Sequence, residues 1–155
     1  KSMRSVRDEL PADARATIEE HERQRAYDAP GYEAALDDAY REHVCRTEEY
    51  PELVRSTFER ISLDVYGLMW GPNEYVLLRT ARLRDWDVRD RLDEIEAPTL
   101  VLSGEYDEID PSIARDIADR LPNADLHVFE GGSHMPFWER PDAHYDVVES
   151  FLQEH

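Results

Sequence analysis

Pro98-Thr-Leu-Val-Leu-Ser-Gly-Glu-Tyr-Asp-Glu-Ile-Asp-Pro111 is the stretch from which the rest of the chain is read. Residues 99–102 form a continuous β-prone run. Ser103-Gly104 ends it, and the acids Glu105, Asp107 and Glu108 follow. A short apolar run with acids at its carboxyl end reads as a buried parallel strand that delivers side chains to a crevice. A second unit of the same kind follows. Leu126-His-Val-Phe-Glu130 reads as a strand, and Gly131-Gly-Ser-His-Met-Pro136 as a tight turn that presents His134. Asp107 and His134 are then expected at the ends of neighbouring strands separated by one helix. That is the spacing of the acid and base of a nucleophilic triad. The carboxylate fixes the imidazole tautomer, and Gly131 and Gly132 allow the sharp loop.

Outward from these strands, periodicity changes near residue 85. After it the expected order is helix, strand, helix, strand, helix. Asp85-Trp-Asp87 caps a helix over 88–95, Asp110 or Ser112 caps 113–121, and Pro141 opens 142–152. In that last helix Tyr145, Val148, Phe151 and Leu152 are expected to face the sheet. Before residue 85 every element reads as helical: 12–26, 32–45 and 53–63, with a further short helix over 75–83. The apolar stripe of 32–45 is Tyr32, Leu36, Ala39, Tyr40 and Val44. In Tyr66-Gly-Leu-Met-Trp-Gly-Pro-Asn-Glu74 the glycines and proline forbid a long helix, so a rigid turn is expected to carry Glu74 beside aromatics. Two strands cannot make a sheet that covers these helices, so the chain reads as the second part of a larger α/β protein.

The formal net charge is −18, from 36 acids against 18 bases, and every base except Lys1 is arginine. Such a surface argues against nucleic acid or an anionic membrane as partner. It suits a high-salt cytoplasm, where ions screen the self-repulsion. No run of 18 apolar residues is present, and the start does not resemble a signal peptide. The single cysteine, Cys45, has no internal partner for a disulfide, which favours a reducing compartment, and it is read as structural. His127, Glu130 and His134 are close in sequence, but 127 and 130 point to opposite faces of a strand, so no metal site is expected. No cofactor is expected either.

The nucleophile is not among these residues. Gly-x-Ser-x-Gly is absent, and neither Ser103 nor Ser133 stands on a nucleophile elbow. In α/β-hydrolases the chain order is serine, acid, histidine, so the serine is expected before residue 1.

The chain resembles the C-terminal part of a proline iminopeptidase, a serine aminopeptidase of the α/β-hydrolase fold. The similar stretches are His43-Val-Cys-Arg46, the run from Tyr66 to Glu74, Leu83-Arg-Asp-Trp-Asp87, Gly104-Glu-Tyr-Asp-Glu108 and Gly132-Ser-His134. The resemblance implies a helical cap domain over residues 1–84 and the C-terminal part of the α/β-hydrolase core over 85–155. The nucleophile-bearing N-terminal half is absent from these residues. It implies Asp107 as triad acid, His134 as base, and Glu74 and Glu108 as the glutamates that hold the substrate's α-amino group. Carboxylates in a partly closed pocket suit a free ammonium. Tyr66, Trp70 and Trp138 could pack against a proline ring, or simply against the cap and core. The implied partners are a peptide or amino-acid amide with a free N-terminus and the missing half of the enzyme. Two alternatives stay open. One is another cap-bearing amidase or esterase, which shares Asp107 and His134 without needing both glutamates. The other is a non-catalytic binding or assembly module.

Overall fold

Strand β1 (Thr99–Gly104) lies parallel to β2 (Ala124–Phe129), with Thr99 opposite Ala124 and Gly104 opposite Phe129. Parallel strands need a crossover, and α5 (Pro111–Arg120) provides it. The computed structural model describes residues 8, 10–73, 76 and 78–155. The equal register brings both strands to the same edge, so the loops after Gly104 and Phe129 meet. Gly104 permits this approach: a Cβ there would sit 2.2 Å from the Ser133 carbonyl oxygen. Of the two expected caps Asp110 is the one used, and α5 starts two residues earlier than expected. Pro111 opens the first turn, and Asp110 Oδ1 accepts a hydrogen bond from the Ser112 amide at 2.8 Å.

The chain continues through a short α6 (Pro136–Glu139) into α7 (Pro141–Glu154). Here the expected inner face needs correcting. Tyr145 and Leu152 are 60% and 69% exposed. The half-buried positions are His144, Val147, Val148 and Phe151, a 3–4 spacing that leaves the other two off the stripe. His144 stacks on Phe129 at 5.7 Å between centroids, which sets the rotation of the helix.

The helical segment is built on α1 (Ala12–Gln24) and α2 (Pro30–His43). They pack through Leu10, Ala14, Ile18, Tyr32, Ala35, Leu36 and Ala39. α1 stops before Ala26 because Arg25 adopts a left-handed conformation (φ 56°), and its amide and that of Ala26 close back on the helix. α2 starts earlier than expected because Pro30 suits the first helical turn. The helix expected over 53–63 is shorter, and a separate helix follows it. α3 (Glu52–Arg60) ends before Ile61-Ser62, and α4 (Leu63–Met69) takes Tyr66 and Gly67 into its own short turn.

After α4 the chain doubles back. The Leu78, Arg82 and Leu83 amides donate to the carbonyls of Trp70, Leu68 and Met69 at 3.0, 3.1 and 3.0 Å. This return leg spends its hydrogen bonds on the end of α4. The described residues of 75–83 therefore form turns rather than the expected helix. Asp87 Oδ1 accepts from the Arg89 amide at 3.0 Å, but the cap position falls to Val88, which has no side-chain cap bond, and the helix that follows is a 3₁₀ helix, Arg89–Glu94. No described helix is long and apolar enough to cross a membrane.

Candidate active site

The two loops at the carboxyl ends of β1 and β2 are stitched together by backbone. The Glu105 amide donates to the Phe129 carbonyl at 3.0 Å and the Tyr106 amide to Gly132 at 2.9 Å. Glu105 also reaches across, its Oε2 accepting from the Gly131 amide at 2.8 Å. Gly131 has φ 68°, in the left-handed region, and a Cβ there would lie 2.3 Å from the Arg140 guanidinium. The turn predicted to present His134 thus has a backbone that favours glycine.

Within this frame His134 Nδ1 lies 2.9 Å from Asp107 Oδ1. The Asp107 side chain is 8% exposed and the His134 side chain 39%. Asp107 is oriented by its own surroundings. Oδ1 also accepts from the Ile109 amide at 2.9 Å, and the Ser103 hydroxyl donates to Oδ2 at 3.4 Å. With Nδ1 engaged by the carboxylate, Nε2 is the ring nitrogen that this arrangement would use to take or give a proton. Glu108, next along the loop, is buried.

The other predicted residues fall into separate places. Tyr66 and Trp70 are both half-buried and line one open, apolar pocket of about 430 Å³ with Ile61, Ser62, Val65, Met69 and Leu83. Trp138 stands apart on α6, beside Phe137, and is not among the residues lining that pocket. Glu74 lies outside the described residues. Neither local serine is placed to be a nucleophile. The buried Ser103 hydroxyl lies between the Gly104 carbonyl at 3.2 Å and Asp107 Oδ2 at 3.4 Å, and the fully buried Ser133 gives its hydroxyl to Glu139. Among the described residues no group of three His, Cys, Asp or Glu side chains converges as metal ligands.

Sequence reasoning missed the residues that hold this arrangement. Glu139 Oε2 accepts from the Ser133 amide at 2.6 Å, and its Oε1 from the Arg46 amide at 3.0 Å. The Arg46 guanidinium lies 4.1 Å from the centre of the Tyr106 ring. The run His43-Val-Cys-Arg46 was therefore visible as a motif, but its role depends on residues far along the chain. Cys45 within it is fully buried, and burial pushes its thiol pKa up, away from the reactive thiolate.

A family model described as "Alpha/beta hydrolase family" matches residues 6–147. The chain is 36% identical over 155 residues to the proline iminopeptidase of Saccharolobus solfataricus, covering 99% of this chain and 49% of that protein. It is 34% identical over 154 residues to the proline iminopeptidase of Thermoplasma volcanium, covering 99% and 52%. Among solved structures, VinJ superposes with a TM-score of 0.92 at 36% identity, and a Mycobacterium smegmatis proline iminopeptidase with 0.87 at 36%. In both cases 99% of this chain aligns with 52% of the other. The chain spans about half the length of the curated relatives it matches.

Proposed function

Since the chain belongs to the α/β-hydrolase family and corresponds to the C-terminal part of that fold, we propose that it carries the acid and base of a serine aminopeptidase that releases N-terminal proline, or a similar small residue, from peptides. The observation that supports this most directly is the 2.9 Å contact between a buried Asp107 carboxylate and His134 Nδ1 at the end of two parallel strands. In this reading residues 1–84 are the cap and 85–155 the end of the core. The nucleophile is a serine contributed by the part of the enzyme outside these 155 residues, so the 155 residues by themselves are inactive.

His134 takes the serine proton through Nε2 and later returns it to the leaving amine, and Asp107 stabilises the imidazolium that forms between the two steps. Glu74 and Glu108 hold the substrate's ammonium. A carboxylate in low-dielectric surroundings attracts a cation more strongly than one in water, and Glu108 is such a carboxylate. Tyr66 and Trp70 offer the apolar wall for the ring, and Trp138 a further contact from α6. The substrate is a peptide or amino-acid amide in the cytoplasm. The excess of acids is proposed to suit high salt, so that added salt raises stability.

The test compares a prolyl chromogenic amide, its N-acetyl derivative and a neutral ester on the full-length protein. Turnover of the first, with the acetylated substrate refused, supports the aminopeptidase. Good cleavage of the acetylated substrate replaces it with a general amidase or esterase. No turnover of any substrate, with the serine in place, leaves a binding or assembly module.

A further inference from the structure

One residue of the helical segment touches both strand-end loops. His43 is the last residue of α2, so its carbonyl is one of the final four that have no partner within the helix, and it carries part of the negative end of the helix dipole. Two amides use it. The Glu108 N–H and the His134 N–H both donate to the His43 oxygen at 3.1 Å. The side chain makes a third tie: His43 Nδ1 lies 2.9 Å from the Tyr106 carbonyl oxygen. A carbonyl only accepts, so Nδ1 carries the hydrogen.

His43 thus bonds to both neighbours of Asp107 and to the backbone of His134. Its ring is buried, so water does not readily replace the imidazole donor. We propose that His43 is a positioning residue that sets the alignment of Asp107 and His134, coupling the seating of α2 to the proton-transfer geometry. The inference rests on the reading of that pair as acid and base. His43 itself is not placed among the reacting atoms. It acts through the two loops, and an error of a fraction of an ångström there is costly for proton transfer.

The test uses the full-length enzyme and substitutions that move the donor without emptying the site. In His43→Asn the amide nitrogen occupies the place of Nδ1, so the bond to the Tyr106 carbonyl is kept. In His43→Gln it occupies the place of Nε2, so the bond is lost. His43→Ala removes the donor altogether. The expected result is a kcat lowered about tenfold in His43→Gln and His43→Ala, the equivalent of one net hydrogen bond, with KM for the prolyl amide changed by no more than about twofold. His43→Asn should stay near wild type.

If His43→Ala does not fold, the comparison of Asn with Gln decides. Equal kcat in those two variants overturns the proposal, as does a loss confined to KM or to the yield of folded protein. His134→Ala is measured beside them. If it abolishes turnover while the His43 variants match wild type, only the positioning role falls. If His134→Ala stays active, the acid–base reading falls and the positioning role with it.

Discussion

The strand-end loops and the segment around α4 are built in opposite ways. Around Asp107 and His134 the loops are tied by hydrogen bonds between segments: Glu105 with Gly131, Tyr106 with Gly132, and Glu139 with both Ser133 and Arg46. Ser103, Ser133, Asp107 and Glu108 are all buried there. α4 buries none of its residues, and Leu63, Val65 and Leu68 are exposed. Its local structure is held by the return leg of its own chain. On the proposed function the difference would separate two tasks. Proton transfer needs groups held to fractions of an ångström, which dense hydrogen bonding provides. Accepting an apolar ring needs surface of the right shape, which an open pocket with few internal ties can present.

The sharpest way to break this comparison is at its rigid end. His134→Ala should lower kcat by about 10²- to 10⁴-fold through loss of the general base. Asp107→Asn should cost about 10⁴-fold, as in a serine protease whose histidine is left in the wrong tautomer. Both are read as kcat in the full-length enzyme, with binding of a substrate analogue largely kept. Near-full kcat in either variant would remove the catalytic pair.

The next effect concerns the proposed ammonium site. Glu74→Gln or Glu108→Gln should lower kcat/KM for a prolyl amide about 10- to 100-fold, the loss of one charged hydrogen bond, and affect a neutral ester much less. Glu74 is the cleaner test because Glu108 adjoins Asp107. An equal fall on both substrates would make the glutamates supports of the fold rather than readers of the amine.

Stability should divide the regions in the same order. Glu139→Ala leaves the buried Ser133 and the Arg46 amide without their acceptor and should cost about 2–3 kcal/mol in urea denaturation. Leu63→Ala, at a position 72% exposed, should change stability by no more than about 0.5 kcal/mol. Comparable losses would show that α4 is covered as tightly as the loops.

The smallest effect is at the start of α5. The hydrogen bonds from Ser112 hold the Asp110 carboxyl below its ordinary pKa. A depressed carboxylate contributes stability above its unfolded pKa of about 3.9 and loses it as pH falls through the folded value. Asp110→Ala should therefore cost about 1 kcal/mol at neutral pH and progressively less in acid. A cost that stays constant down to the acid limit would show that the carboxylate's charge plays no part in the cap.

Some of this was legible without coordinates because the interactions are local. A β-prone run with acids after it, a Gly-Gly turn before a histidine, and Asp-Pro before a helix each express their chemistry within a few residues. That is why β1, β2, α5 and the juxtaposition of Asp107 with His134 follow from sequence. The break at Ile61-Ser62, the turns after α4 and the rotation of α7 did not follow, because each is set by packing or by hydrogen bonds to a different segment. Phe129 decides which side of α7 turns inward, and the carbonyls at the end of α4 claim the amides of Leu78, Arg82 and Leu83.

The sequence by itself determined the α/β character, the order acid then histidine, and which residues carry the charge. Only the tertiary structure decided that His43, at the end of a helix in the other half of the chain, bonds to both loops, and that Glu139 links Ser133 to Arg46. The physical reason is that a helix-terminal carbonyl or a half-buried carboxylate can be satisfied by any donor the fold brings near. Which donor arrives is a property of chain path, not of neighbouring residues.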